Sequence, residues 1–157
     1  MTSIHLRPIT PEDDSFLAGV YASTRAEELL VTDWSDQEKA RFCRHQFDAQ
    51  TAHYTSNYPG ASFQIIERAG VPLGRLYLAR WEKEIRIVDI TLLPEHRGAE
   101  IGTKLVKELQ EEAKSAGKKL SIHVERLNPA LRLYERLGFR QVEDKGVYLL
   151  LEWSSKE

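Results

Sequence analysis

The sequence predicts a single mixed α/β domain whose sheet is mainly antiparallel with one parallel crossover. Three observations carry that prediction. The hydrophobic period switches between helical and strand-like spacing in the order β-α-α-β-β-β-α-β-α-β-β. Turn-forming residues punctuate the switches: Tyr58-Pro59-Gly60, Arg68-Ala69-Gly70-Val71 and Lys145-Gly146. The chain has 157 residues, 41% apolar and 29% charged, with no repeat or interdomain linker, so residues 1–157 read as one domain with one core.

Ser3–Pro8 alternates apolar and polar residues and reads as the first strand. Thr10-Pro11-Glu12-Asp13 has a capping residue, a proline suited to the first helical turn, and acids that complement the dipole. The helix that follows places Leu17, Val20, Tyr21 and Thr24 on one face. Ser35-Asp36-Gln37-Glu38 matches a capping box and opens a second helix, with Cys43, Phe47 and Tyr54 as the expected buried stripe and Phe42 beside it. Ser62–Glu67 and Leu73–Arg80 flank a short turn and form a hairpin. Ile85–Leu93 is nearly all apolar and is expected to be central and covered on both faces. Ile101–Ala116 returns to helical spacing, with Leu105, Val106, Leu109, Ala113 and Ala116 inward and Gly117 as the C-cap. Leu120–Val124 is a strand. Asn128-Pro129 caps a short helix whose Ala130, Leu133, Tyr134 and Leu137 share a face, stopped by Gly138. Phe139–Glu143 and Val147–Trp153 close the chain as a hairpin.

Composition excludes several classes. Lys plus Arg number 22 against 24 Asp plus Glu, a net charge of −2, which lacks the long-range pull of a phosphate-tracking protein, so no nucleic-acid partner is expected. One cysteine, Cys43, forms no internal disulfide and no multi-cysteine zinc site. No apolar run is long enough to cross a bilayer, and Met1–Thr10 lacks the pattern of a signal peptide. The expected location is cytoplasmic, with no membrane contact.

The most informative stretch runs from a strand into a helix: Pro94-Glu95-His96-Arg97-Gly98-Ala99-Glu100-Ile101-Gly102-Thr103. A small-residue loop entering a helix presents unpaired N–H groups at the positive end of the dipole, where a pyrophosphate could approach the backbone. An ordinary strand-to-helix turn would look the same by spacing alone. No Gly-Lys-Ser/Thr follows, so it is not a P-loop, and Gly98 and Gly102 do not spell the dinucleotide fingerprint.

Downstream lies Asn128-Pro129-Ala130-Leu131-Arg132-Leu133-Tyr134-Glu135-Arg136-Leu137-Gly138-Phe139. Together the two segments resemble the GNAT superfamily of acetyl-CoA-dependent N-acetyltransferases. The second matches that family's Asn-x-x-Ala-x-x-x-Tyr-x-x-x-Gly-Phe segment at every defined position. The first aligns with the Gln/Arg-x-x-Gly-x-Gly/Ala pyrophosphate loop as Arg97-x-x-Glu100-x-Gly102, with glutamate where the family usually has glycine. A carboxylate there disfavours a pyrophosphate by about 1 kcal/mol at 4 Å in water. In the first turn of a helix it also complements the dipole. The departure keeps open a second reading, a catalytically impaired CoA-binding or interaction module.

The resemblance implies a seven-stranded sheet with four helices, splayed in a V between the strand ending at Leu92-Leu93 and the strand Leu120–Val124. It implies that acetyl-CoA is the cosubstrate, contacted by Leu92, Leu93, Arg97, Gly98, Ala99, Glu100, Ile101, Gly102, Thr103, Asn128 and Tyr134, and that no metal is required. Transfer to an amine would be direct, with backbone N–H near Leu92 polarising the thioester carbonyl. Tyr134 holds the family's general-acid position; its stripe with Ala130 and Leu137 also fits a core tyrosine. Asp89 interrupts an apolar run and is the candidate base, with an ion pair to a base such as Arg75 as the other reading. His123 and Glu125 are the reserve. Cys43 reads as a buried structural thiol. The first two helices would form the acceptor wall. There Glu12, Asp13, Asp14, Glu27, Glu28, Asp33, Asp36 and Glu38 stand against few bases, chiefly Arg25, which suits a cationic amine or equally two solvated helix faces. Trp34, Tyr54 and Tyr58 could line an acceptor pocket. A homodimer is left open.

Overall fold

A computed structural model describes residues 3–98 and 100–155. Its elements are β1 (Ile4–Pro8), α1 (Asp14–Leu30), α2 (Asp36–Asn57), β2 (Ser62–Arg68), β3 (Val71–Arg80), β4 (Glu84–Leu92), α3 (Ile101–Ala116), β5 (Lys119–Glu125), α4 (Leu131–Arg136), β6 (Arg140–Asp144) and β7 (Tyr148–Trp153). Short 3-10 turns at Pro11–Asp13 and Pro94–His96 precede α1 and α3. The seven strands form one sheet in the order β1-β2-β3-β4-β5-β7-β6. β4 and β5 are parallel, joined through α3, whereas β1–β2, β5–β7 and β6–β7 are antiparallel. This is the α/β architecture that the periodicity predicts.

The chain divides into two compact units. The first runs to Leu76 and includes Ile90–Arg97. Leu17 and Tyr21 of α1, Phe47 of α2 and Ile65 of β2 form a buried cluster, with the Tyr21 and Phe47 rings 6.2 Å apart. The entry to α1 is fixed electrostatically. The Asp13 carboxylate accepts the Thr10 N–H at 2.8 Å and both Arg7 guanidinium NH groups at 2.9 Å, and Arg7 also reaches Glu67 at 3.0 Å. Those Arg7 bonds hold the Asp13 carboxyl down to about 2. Ser35 and Glu38 exchange the two bonds of a capping box at the start of α2. Arg75 on β3 is 2% exposed, and its guanidinium donates to Gln50 Oε1 of α2 at 2.8 Å.

The second unit holds Tyr77–Asp89 and the chain from Gly98 onward. α3 lies on β5 and buries Ile101, Leu105, Val106, Leu109, Gln110 and Ala113. On β5, Leu120, Ile122 and Val124 alternate with the polar Ser121 and His123. Gly117 caps α3 in the left-handed region at φ 69°.

Three expectations about burial are corrected. Thr24 is exposed, because its hydroxyl turns back to the Tyr21 carbonyl at 2.6 Å. Ala116 is exposed, the buried stripe of α3 ending at Ala113. The strand covered on both faces is β3, buried continuously from Leu73 to Ala79. In β4, Ile85 and Ile87 are buried and the remaining residues are half-buried. Its apolar run reflects a central position without complete cover.

Candidate active site

The β4–β5 ladder pairs Glu84–Ile87 with Lys119–Ile122 and ends there, although β4 continues to Leu92 and β5 to Glu125. At the far end of β4, in the first unit, the backbone is held from two directions. The Leu93 N–H donates to the Leu73 carbonyl at 2.9 Å, and the Leu93 carbonyl accepts from His96 at 2.9 Å. Leu93 therefore has both backbone groups engaged. The Leu92 carbonyl accepts the Arg97 Nε–H at 3.0 Å. The cation expected to meet a pyrophosphate thus also anchors the strand end.

In the second unit, α3 begins at Ile101 after Glu100, and its first intrahelical bond runs from the Lys104 N–H to the Glu100 carbonyl at 3.0 Å. The N–H groups of Ile101, Gly102 and Thr103 precede that bond and have no intrahelical acceptor. The Glu100 side chain does not cap them. The Ile101 side chain is buried and anchors the helix start in the core. Gly98 stands at φ 79°, a left-handed conformation in which a side chain would be strained. Glu100 is not in the helical first turn: it occupies the left-handed region at φ 63° and ψ 11°. Ala99 falls outside the described residues. Beside this helix start is a shallow groove of about 460 Å³ lined by Glu100, Thr103, Lys104, Lys107, Glu108 and Glu111. Its three acids outnumber its two lysines.

Tyr134 of α4 is 5% exposed and packs edge-on against Phe139, with ring centroids 5.5 Å apart. Burial, with the charge of Asp89 added to it, pushes the phenol well above the ordinary tyrosine range, so it keeps its proton at any physiological pH. The structure therefore brings the candidate acid and the candidate base within electrostatic reach of each other. Asn128 Oδ1 accepts the Ala130 N–H at 2.8 Å, closing the turn that leads into α4. The buried Gln110 of α3 donates to the Leu137 carbonyl at 2.8 Å, tying down the end of a helix only six residues long.

His123 is committed elsewhere. Arg86 donates to its Nδ1 at 3.3 Å, so the neutral ring carries its proton on Nε2, a buried donor without a partner. Burial, then the charges of Arg86 and Lys145, keep the ring below the usual histidine range. In this tautomer the buried nitrogen donates and cannot accept a proton. Three of the eight acids expected on the acceptor wall are ion-paired: Asp13 with Arg7, Asp14 with Arg44, and Glu28 with Arg25. Trp34 packs edge-on against Phe42 at 5.2 Å, and Tyr54 against Tyr58 at 6.4 Å. Burial pushes the Cys43 thiol up, which suits a structural role. Among the described residues no group of three His, Cys, Asp or Glu could hold a metal ion, and no helix is long and apolar enough to cross a membrane.

Two features of this region escape motif reading. Gln110 is a polar residue within the apolar stripe of α3, a pattern that signals a buried partner. Gly74 lies inside a strand, where glycine marks a bulge or a close backbone approach.

The chain belongs to the acetyltransferase (GNAT) family, whose sequence model matches residues 24–139. No curated protein sequence matches it. Solved structures share the fold at low identity. PaiA N-acetyltransferase from Thermoplasma acidophilum, in complex with coenzyme A, is 19% identical over 97% of this chain and 99% of that one, with a TM-score of 0.71. An acetyltransferase from Thermus thermophilus is 20% identical over 96% of each chain, with a TM-score of 0.68. YncA from Salmonella typhimurium, with its cofactor acetyl-CoA, is 21% identical over 98% of this chain and 95% of that one, with a TM-score of 0.60.

Proposed function

We propose that this protein is an acetyl-CoA-dependent N-acetyltransferase that moves the acetyl group directly to a primary amine. The observation that carries the reading is the buried Tyr134, which lies on a segment that keeps every defined position of the family motif and senses the charge of Asp89. The free N–H groups of Ile101, Gly102 and Thr103, the Gly98 turn and Arg97 are the pyrophosphate contacts. Leu92 supplies backbone polarisation of the thioester, and Asn128 shapes the entry to α4. The solved relatives with coenzyme A or acetyl-CoA bound support this choice of cosubstrate.

The reaction needs two proton movements. The acceptor nitrogen attacks the thioester carbonyl carbon and loses a proton to Asp89. The tetrahedral intermediate then collapses with cleavage of the C–S bond, and Tyr134 protonates the departing thiolate. The products are an amide and free CoA, and solvent returns the proton from Asp89 to Tyr134. No acyl-enzyme forms, so Cys43 has no part. Because Asp13, Asp14 and Glu28 are ion-paired, a preference for a cationic amine rests on the acids outside those pairs, such as Asp33 and Asp36.

The test is calorimetric titration with acetyl-CoA, followed by turnover of Tyr134→Phe on whichever amine the wild type acetylates. Micromolar binding, a 10²–10⁴-fold lower kcat and nearly unchanged acetyl-CoA affinity are expected. Turnover at the parent rate would make Tyr134 a core residue only. Absence of binding at millimolar acetyl-CoA would favour the second reading, an interaction module, for which the Glu100 carboxylate beside the helix start is the specific support.

A further inference from the structure

We infer that Gly74 is a positioning residue for acetyl transfer: its missing side chain lets the end of β4 present the Leu92 N–H to the thioester. The inference rests on the proposed acetyl-CoA reading. A Cβ built at Gly74 would fall 2.1 Å from the Thr91 carbonyl oxygen, 2.9 Å from Leu92 Cα and 3.0 Å from the Thr91 carbonyl carbon. All three atoms are backbone, so no rotamer change relieves the overlap. Gly74 is not in the left-handed region, which leaves close approach as the reason for glycine.

The approach fixes a direction as well as a distance. The Thr91 carbonyl points at β3 over Gly74. In a planar trans peptide the N–H lies opposite the carbonyl, so the Leu92 N–H points away from β3. The next peptide is held at both ends, by the Leu93 N–H on the Leu73 carbonyl and by Arg97 on the Leu92 carbonyl. The hairpin register shows how the strand reaches this position. Leu73 to Trp81 is nine residues, and Glu84 to Leu93, bonded to it at both ends, is ten. One extra residue on the second strand is what a bulge inserts, and bulges re-aim backbone groups. Any side chain at position 74 drives the Thr91–Leu92 peptide off its place by about the overlap, and misplacement of that order is costly to catalysis.

The test is the ratio of acetyl-CoA to CoA affinity, which isolates the acetyl carbonyl and needs no acceptor. Gly74→Ala should lower the ratio about three- to tenfold, the worth of one hydrogen bond, while CoA affinity changes less than threefold. The bound carbonyl stretch of [1-¹³C]acetyl-CoA should move back toward the free value. Gly19→Ala, where a Cβ meets nothing within 4 Å, should leave ratio and stretch unchanged. Should Gly74→Ala not fold, Arg97→Gln decides. It weakens both ligands through the pyrophosphate but must also lower the ratio, because it frees the Leu92 carbonyl. An unchanged ratio in either folded variant overturns the inference. Wild-type protein that binds neither ligand overturns the acetyl-CoA reading instead.

Discussion

Replacing Glu100 by glycine should stabilise the protein and tighten its hold on acetyl-CoA, through two separable causes. Glu100 sits at φ 63° and ψ 11°, where an L residue is disfavoured by about 1–2 kcal/mol because its Cβ crowds the following carbonyl. Glycine escapes that cost but loses about 0.4–1 kcal/mol through the greater freedom of the unfolded chain. The difference favours the variant by about 0.5–1 kcal/mol, which for a domain of this size raises the melting temperature by roughly 1–4 °C. A residue in the helical first turn would give the opposite sign, a loss of about 1 kcal/mol. The second cause is charge. The carboxylate borders the unpaired N–H groups of Ile101, Gly102 and Thr103, in a groove whose acids already outnumber its lysines. Removing one negative charge about 4 Å from a pyrophosphate is worth about 1 kcal/mol in water, or roughly fivefold in affinity.

Glu100→Gln separates the two, since it keeps the strained backbone and drops the charge. Thermal melts without ligand should show a gain for glycine and none for glutamine. Calorimetric titration with acetyl-CoA at low salt should show tighter binding for both, shrinking with added salt as exposed charges are screened. A lower melting temperature for Glu100→Gly would refute the conformational argument. Unchanged affinity in both variants at low salt would show that the carboxylate points away from the phosphates.

Three further outcomes follow from the structure. Ala69 stands at φ 53° before Gly70 in the two-residue turn between β2 and β3, so Ala69→Asn should raise stability by about 1 kcal/mol, read as a shift in denaturant midpoint at constant slope. Asp13 titrates at about 2 in the folded state, below its unfolded value, so the stability it contributes is complete above about pH 4 and is lost as pH falls through 2. Asp13→Asn should accordingly melt lower than the parent at pH 7, with the gap closing toward pH 2; a constant gap would assign the effect to packing. Gln110→Leu removes the bond to the Leu137 carbonyl and should cost about 1–3 kcal/mol in a chemical denaturation curve.

Much of the molecule is legible in the sequence because local rules and tertiary demands coincide there. The capping box at Ser35 and Glu38, the glycine stop at Gly117 and the Asn128 turn each form the bonds that their residue types imply. The apolar stripe of α3 fixes which face meets the sheet. What is illegible depends on neighbours distant in sequence. Full cover of β3 rather than β4 is not written in either strand, because both read as apolar runs. Glu100 looks like a dipole-complementing acid until the backbone dihedral is known, because a left-handed residue and a first-turn residue share the same position relative to Ile101. Arg75, buried on a strand with its head at Gln50, is indistinguishable in sequence from a surface arginine.

The proximity of Asp89 and Tyr134 makes the two proton movements of the proposed reaction interdependent. Tyr134 holds its proton strongly for two reasons, its burial and the negative charge of Asp89. Burial does not change during turnover, but the charge does. Once Asp89 has taken the amine proton it is neutral, and one of the two causes that raise the phenol is gone. In the proposed reaction Tyr134 would therefore be a better acid at the stage when the thiolate leaves, and a poorer one before the amine has attacked. This order makes Asp89→Asn more than the loss of a base. It also removes the smaller of the two causes that raise Tyr134 in the resting state, so the phenol of that variant should titrate lower than in the parent, which ultraviolet difference spectra carried as far into alkali as the fold survives would record. A tyrosine titration identical in parent and variant would show that the two groups do not sense each other and that the proton movements are independent.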